Sequence, residues 1–316
     1  MTVIIPKKVY QTIVAASVRY ANARIPEDDW LEVYGIFIGK IEGENVLLSA
    51  APPITHQVKR EEDVIDKVFW SEDDYISSAE IENEAFERNE WVVGWWHSHP
   101  GFKVMMSHID IRTTLSYQQH NPKAISLVFN PQRLIRQVEL PDRKGDPITQ
   151  LDWDPGFKIF RLDDVNRGIE ASYHTVDYKI EGYDNPNQLV QLTQKFVIDI
   201  TTFFPKDNLF ETYEKFISNK IAELESKIAG TDEYLQTLVR QGQTSRVPEV
   251  LGNQQRDIRK YVAETFIKIE NIKDFMHYLE HKEKATIIPK VEEILSVWDE
   301  ALTNFNERLA RLSKKF

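Results

Sequence analysis

The chain has 316 residues, more than one compact core ordinarily takes, so two domains are expected. Its 41% hydrophobic and 28% charged residues suit a globular protein, and no apolar run approaches the ~20 residues of a membrane span. A formal net charge of -11 disfavours nucleic-acid partners, and the absence of cysteine excludes disulfides, thiolate zinc sites and a cysteine nucleophile, as in a cytoplasmic protein.

The N-terminus, MTVIIPKKVYQ, lacks the basic-then-apolar order of a signal peptide. Residues 7 to 22 carry Val9, Ile13, Ala16 and Tyr20 at helical spacing. Residues 33 to 50, VYGIFIGKIEGENVLLSA, read as two strands around the turn EGEN. A helix is expected over 73 to 88, with Ile76, Ala79 and Phe86 on its apolar side. Strands follow at 91 to 96, 124 to 129, 157 to 162 and about 170 to 180, with a helix at 111 to 120. Residues 56 to 71, densely charged, and 132 to 156, with three prolines, interrupt this order as loops or small excursions.

After Tyr183-Asp184-Asn185-Pro186 helical periodicity takes over. Ile217, Ile221, Leu224 and Ile228 are spaced as on one helix face. Ile288, Val291, Leu295, Trp298, Leu302, Phe305, Leu309 and Leu312 form a longer, coiled-coil-like stripe. Such a stripe fits an intramolecular bundle and an intermolecular interface equally. Three glycines among polar residues at 229 to 256 suggest a hinge or flexible connection.

Residues 95 to 110, WWHSHPGFKVMMSHID, concentrate polar, metal-binding groups behind an apolar strand. If WVVGWW continues through His97-Ser98-His99, strand alternation turns both imidazoles to one side, and Pro100 ends the strand. Ser107 and Asp110 admit two readings. Ser-x-x-Asp before a helix is an acidic variant of a capping arrangement. It also brings a carboxylate back to the strand end, where Asp110 can join His97 and His99 as a third ligand. Two imidazoles and a carboxylate suit zinc and leave one position open to water. Hydrolysis there needs a base and a donor to the developing oxyanion. Glu32, a charge set just before the apolar run VYGIFIG, is the candidate base, although without the histidines it would read as an ordinary exposed residue. Ser107 is the candidate donor. Trp91, Trp95 and Trp96 are expected in the core or behind the metal. His56, His108, His120, His174, His277 and His281 are expected outside the ligand set.

Glu32 in LEVYGIFIG, His97-Ser98-His99-Pro100, Ser107 and Asp110 together resemble the full JAMM motif of the MPN+ zinc metalloproteases. The surrounding VVGWWHSHPGF is similar to the deubiquitinase of the proteasome lid. The resemblance covers about residues 8 to 180. It implies an α/β fold: an MPN, cytidine deaminase-like α-β-α core with a mixed sheet over 1 to 183, followed by an all-helical C-terminal domain over 184 to 316. It further implies one catalytic zinc held by His97, His99 and Asp110, Glu32 as general base, Ser107 as oxyanion stabiliser, and hydrolysis of isopeptide bonds in ubiquitin or ubiquitin-like conjugates. Residues 56 to 71 and 132 to 156 correspond to segments that grip the modifier's tail in relatives. An MPN-domain or proteasomal partner would be met through the C-terminal helices, and the scaffold role of inactive members is the alternative. Two departures stand out. Met105 occupies a tryptophan position, and the lack of cysteine removes a second, structural zinc that some relatives carry.

Overall fold

The structure is a computed structural model that describes residues 1–57, 70–134, 136–141 and 147–315. Two compact units emerge. The first comprises Met1–Lys206 and His277–Lys284, the second Asp207–Met276 and Ala285–Phe316. Strand gives way to helix between Glu181 and Pro186, and the first compact unit continues through the next helix and also includes the eight residues His277–Lys284.

Unit 1 is built on a mixed sheet. Strands β1 (Thr2–Pro6), β2 (Val33–Glu42), β3 (Asn45–Ala50), β4 (Pro53–His56), β5 (Trp91–Ser98) and β6 (Ile125–Phe129) form its first part. Strands β7 (Arg136–Pro141) and β8 (Pro147–Asp154) pair only with each other, as a separate hairpin within 132 to 156. Strands β9 (Phe157–Leu162), β10 (Tyr173–Thr175) and β11 (Asp177–Glu181) complete the main sheet, in the order β10-β9-β6-β5-β2-β3-β1-β11 with β4 also on β2. The β2–β3 turn falls at EGEN as the sequence suggests.

Helices cover both faces. Helix α1 (Lys7–Tyr20) buries Val9, Ile13, Ala16 and Tyr20, and its Tyr10 ring meets Phe157. Helix α2 (Glu72–Glu87) and helix α3 (His108–His120) contact the opposite face. There Tyr34, Ile36, Ile38 and Trp95 pack with Ile81 and Ala85 of α2. The apolar side expected for α2 is corrected. Ile76 and Phe86 are exposed, and the buried side is Asp74, Ser77, Ser78, Ile81 and Ala85. Small side chains, Ser77, Ser78 and Ala85, make up most of that buried side, with Ile81 as its large apolar contact to the sheet. On the other face of β2, Gly35 leaves room for Trp96, since a Cβ there would come within 2.3 Å of its ring.

Helix α4 (Pro186–Phe203) packs on α1. Arg19 of α1 is buried and forms a bidentate pair with Glu283, at 2.7 and 3.0 Å, and donates to the Pro205 carbonyl. A charge this deep is stable only when paired and hydrogen-bonded.

Unit 2 contains α5 (Leu209–Arg240), α6 (Val247–Phe275) and most of α7 (His281–Lys315). Leu224, Ile228, Ile258, Phe305, Leu309 and Leu312 form its core, so the apolar stripe packs within the chain as a bundle. The connection expected within 229 to 256 is present but short, between Arg240 and Val247. Gly230 lies inside α5 and Gly252 inside α6, and only a short connection around Gly242, at φ 73°, leaves the helices. Leu235, Leu238, Val247 and Leu251 pack together across it, which outweighs the cost of helical glycine. No helix among the described residues is long and apolar enough to cross a membrane.

The Arg19 pair yields a stability prediction. Glu283→Ala leaves a buried guanidinium with only backbone partners and lowers unfolding free energy by about 3 kcal/mol, near the lower end for breaking a buried pair. Urea unfolding monitored by tryptophan fluorescence measures it. A change under about 0.5 kcal/mol, the range of ordinary surface substitutions, would contradict the role given to this contact.

Candidate metal centre

Strand β5 ends at Ser98, and the chain still pairs one residue further, because His99 N–H donates to the Phe129 carbonyl at 2.7 Å. Trp95, His97 and His99 therefore share one face while Trp96 and Ser98 take the other. The Trp95 ring stacks on His97 with centroids 4.5 Å apart and planes 10° apart, and its indole N–H donates to Thr114 at 3.2 Å. Among the described residues His97 Nδ1 has no hydrogen-bond partner, so on that side of the ring stacking against Trp95 holds the imidazole. Trp95 and Trp96 are buried as expected, but Trp91, at the solvent end of the strand, is 55% exposed.

Helix α3 begins with a complete capping box. Ser107 Oγ accepts from the Asp110 N–H at 3.2 Å, and Asp110 Oδ2 accepts from the Ser107 N–H at 2.6 Å. The carboxylate held in this way also faces the histidines. His97 Nε2 lies 3.2 Å from Asp110 Oδ1, and His99 Nε2 lies 3.5 Å from Asp110 Oδ2. The two Nε2 atoms approach to 2.9 Å. The capping and ligand readings of Ser-x-x-Asp thus coexist in one geometry. Among the described residues, His97, His99 and Asp110 are the group whose metal-binding atoms all fall within 4.8 Å of one another.

These spacings match the edges of a tetrahedron around zinc, about 3.3 Å for bonds of about 2.0–2.1 Å. His99 Nδ1 is 3.0 Å from the Lys103 carbonyl, which makes it the protonated nitrogen and leaves the Nε2 lone pair directed at the site. Burial lowers the pKa of His97 despite Asp110 and favours the neutral, ligating ring. Burial also opposes charge on His99, but its bonds to Asp110 and the Lys103 carbonyl outweigh burial and raise its pKa. Burial would raise Asp110 as well, yet the adjacent His97, His99 and the Ser107 N–H hold it far below the usual carboxylate range. The donor set therefore fits a divalent zinc-like ion in both shape and charge.

A cleft of about 1140 Å³ opens over this group and is lined by Glu32 and Ser107 as well as all three prospective ligands. Glu32 is half-buried, and its charge reaches His99. Ser98, between the histidines, accepts from the Val33 N–H at 2.9 Å and thereby ties the residue after Glu32 to the metal-binding strand. The sequence reading did not single out Ser98, although strand alternation already points it away from the histidines and towards a neighbouring strand. Ser107 is exposed to the cleft; its Oγ accepts from Asp110, which leaves the hydroxyl proton for another partner. Tyr34 and Tyr117, hydroxyls 3.0 Å apart, also line the cleft without having been anticipated.

Met105 is 47% exposed on the cleft, while Val104 and Met106 are buried with Ile111 of α3. His108 lies outside the ligand group. His56, His120, His174 and His281 contact Glu280, the Ser116 carbonyl, Asp163 and Glu80 respectively. Of the two groove candidates, residues 58–69 of the first and 135 and 142–146 of the second lie outside the described residues.

Residues 1–123, which include all five motif positions, match the family described as JAB1/Mov34/MPN/PAD-1 ubiquitin protease. The N-terminal unit carries a JAB/MPN domain. Among similar proteins, the 26S proteasome regulatory subunit rpn11 of Schizosaccharomyces pombe is 45% identical over 91 residues, 28% of this chain and 30% of that protein. Ubiquitin carboxyl-terminal hydrolase RPN11 of Saccharomyces cerevisiae is 46% identical over 44 residues, 14% of each chain. COP9 signalosome complex subunit 5b of Arabidopsis thaliana is 31% identical over 109 residues, 33% of this chain and 28% of that protein. The matches span about a third or less of these relatives' lengths. The mixed sheet followed by a helical C-terminal region is the architecture expected of the MPN fold.

Substituting a prospective ligand in this JAB/MPN domain tests the centre directly. His97→Ala reduces bound zinc from about one per chain to a small fraction, because two remaining ligands hold the ion poorly. Elemental analysis after gel filtration reads this, with circular dichroism showing the fold retained. Full zinc occupancy in the variant would contradict the assignment of His97.

Proposed function

We propose that the protein is a zinc-dependent isopeptidase that hydrolyses the bond between the C-terminus of ubiquitin, or a ubiquitin-like protein, and a substrate lysine. The observation that carries this reading is the convergence of His97, His99 and Asp110 in one cleft with Glu32 and Ser107. The family match and the printed name of the Saccharomyces relative, a ubiquitin carboxyl-terminal hydrolase, support the substrate class. A cleft of about 1140 Å³ is also large for a small solute and suits an extended peptide tail.

In this reading His97, His99 and Asp110 hold the metal. A bound zinc ion supplies Lewis acidity to the attacking water and the scissile carbonyl. Glu32 accepts the proton of the water as its oxygen adds to the carbonyl carbon, and it later passes that proton to the lysine nitrogen as the C–N bond breaks. Ser107 donates its hydroxyl proton as a hydrogen bond to the carbonyl oxygen while negative charge builds there. The products are a free C-terminal carboxylate and a lysine amine.

A second reading, assembly into a larger complex as a scaffold, draws on relatives whose printed names are subunits of the proteasome and the COP9 signalosome. The two readings are compatible: the helical unit would meet an MPN-domain or proteasomal partner in the cytoplasm while the N-terminal unit performs the chemistry. Retention of all five motif residues supports the enzyme as the primary reading.

A lysine-linked ubiquitin dimer tests it. Wild-type protein cleaves the dimer; Glu32→Gln retains about one zinc per chain and loses at least about 100-fold in kcat, the scale of general-base catalysis. Zinc in both without cleavage by either would favour the scaffold, and full activity of Glu32→Gln would remove Glu32 from the base role.

A further inference from the structure

The segment His277–Lys284 lies far along the chain from the motif, yet it belongs to the same compact unit. Two of its side chains reach the structure around the cleft. Glu280 is 1% exposed, and its Oε1 lies 2.6 Å from His56 Nδ1 at the end of β4. Lys282 Nζ donates to Asp74 Oδ1 at 2.7 Å and to Thr55 Oγ1 at 3.3 Å, and it lies 3.4 Å from Glu280 Oε2. Asp74, also 1% exposed, closes the capping box of α2 through the Ser71 N–H at 2.7 Å. Burial alone would neutralise Asp74 and Lys282, but their contact outweighs it, so the carboxyl's pKa falls and the amine's rises.

Both structures held this way lead into the cleft. The residue after His56 is Gln57, whose N–H donates to the Glu32 carbonyl at 2.7 Å and whose Oε1 accepts from the Glu32 N–H at 3.4 Å. His56 is further fixed by stacking on Tyr20, with centroids 4.3 Å apart. On the other side, α2 contributes Tyr75, Ser78, Ala79 and Glu82 to the cleft lining. One wall carries the prospective base and the other carries α2. Glu280 and Lys282 tie the β4 end beside the first wall to the start of the second.

We propose that Glu280 and Lys282 are positioning residues that set the placement of Glu32 relative to α2 and so tune the cleft, from a segment the family match over residues 1–123 does not include. This rests on the isopeptidase reading for its catalytic consequence, while the structural pin stands on contacts alone. Neither side chain lines the cleft, so the pin acts on geometry, where displacements of about 1 Å can cost up to about 100-fold in rate.

The test uses the full-length, zinc-loaded chain. In Lys282→Met, hydrogen exchange at the Gln57 and Asp74 amides accelerates at least about tenfold, while zinc content stays at wild type. Cleavage of the ubiquitin dimer loses about tenfold in kcat with KM changed less than about twofold, and Lys282→Arg, which keeps the cation, recovers most of the loss. If Lys282→Met does not fold, Glu280→Met, close in length but unable to make the His56 contact, is measured the same way with the same expectation. Unchanged exchange at both amides would overturn the pin. Faster exchange with unchanged kcat would overturn its role in positioning Glu32. If the wild type cleaves nothing, the isopeptidase reading fails, and exchange still decides whether the pin exists.

Discussion

The hydrogen bonds that begin α3 are the constraint on which the metal centre depends. A helix start leaves backbone N–H groups without partners and favours negative charge nearby. Asp110 meets both needs by accepting from the Ser107 N–H, and that bond fixes the carboxylate where its two oxygens also face His97 and His99. A side chain held by the helix start spends little entropy on becoming a ligand. The same bonds keep it ionised, the form that binds a cation. Helix nucleation and metal-site geometry are therefore one arrangement, and a change at Ser107 or Asp110 disturbs both.

The prospective base is positioned by a different device. Glu32 precedes β2, and the antiparallel pairing of β2 with β5 aligns Tyr34 with His97. Ser98 extends that pairing by accepting from the Val33 N–H, and Gln57 holds Glu32 from the β4 side. The prospective base is thus fixed through its backbone from two neighbouring strands, while its carboxylate borders an open cleft. Backbone anchoring with a polar group left at the cleft suits a group that must transfer protons without being displaced.

The two halves of the sequence do not divide cleanly between chemistry and assembly. The family match ends at residue 123, but the compact unit that contains the cleft extends to Lys206 and includes His277–Lys284. A chain ending near residue 186 would lack Glu280, Lys282 and Glu283, leaving Arg19 and Asp74 buried without their ionic partners. Removing one partner of a buried pair is far more costly than removing both. Independence of an N-terminal fragment is therefore opposed by three charges located more than 270 residues into the chain.

Local pattern alone determined the strand ending in His97-Ser98-His99, the shared face of its imidazoles, the hairpin around EGEN, and the Ser107–Asp110 start of α3. Each depends on residues within a few positions of one another, where the geometry of strand and helix permits few outcomes. The apolar stripe in 288 to 312 was equally legible, but whether it packs within the chain or against another was decided by Leu224, Ile228 and Ile258 meeting it in three dimensions. The same holds for α2, which buries mostly small side chains and Ile81 while Ile76 and Phe86 are exposed, and for Gly230 and Gly252, which neighbouring apolar contacts keep helical. Nothing in the local pattern marks Arg19, Asp74, Glu280 or Lys282. Only the tertiary structure brought these charges to their partners and buried Arg19, Asp74 and Glu280, because no periodicity in a sequence records which distant charge will arrive to neutralise another.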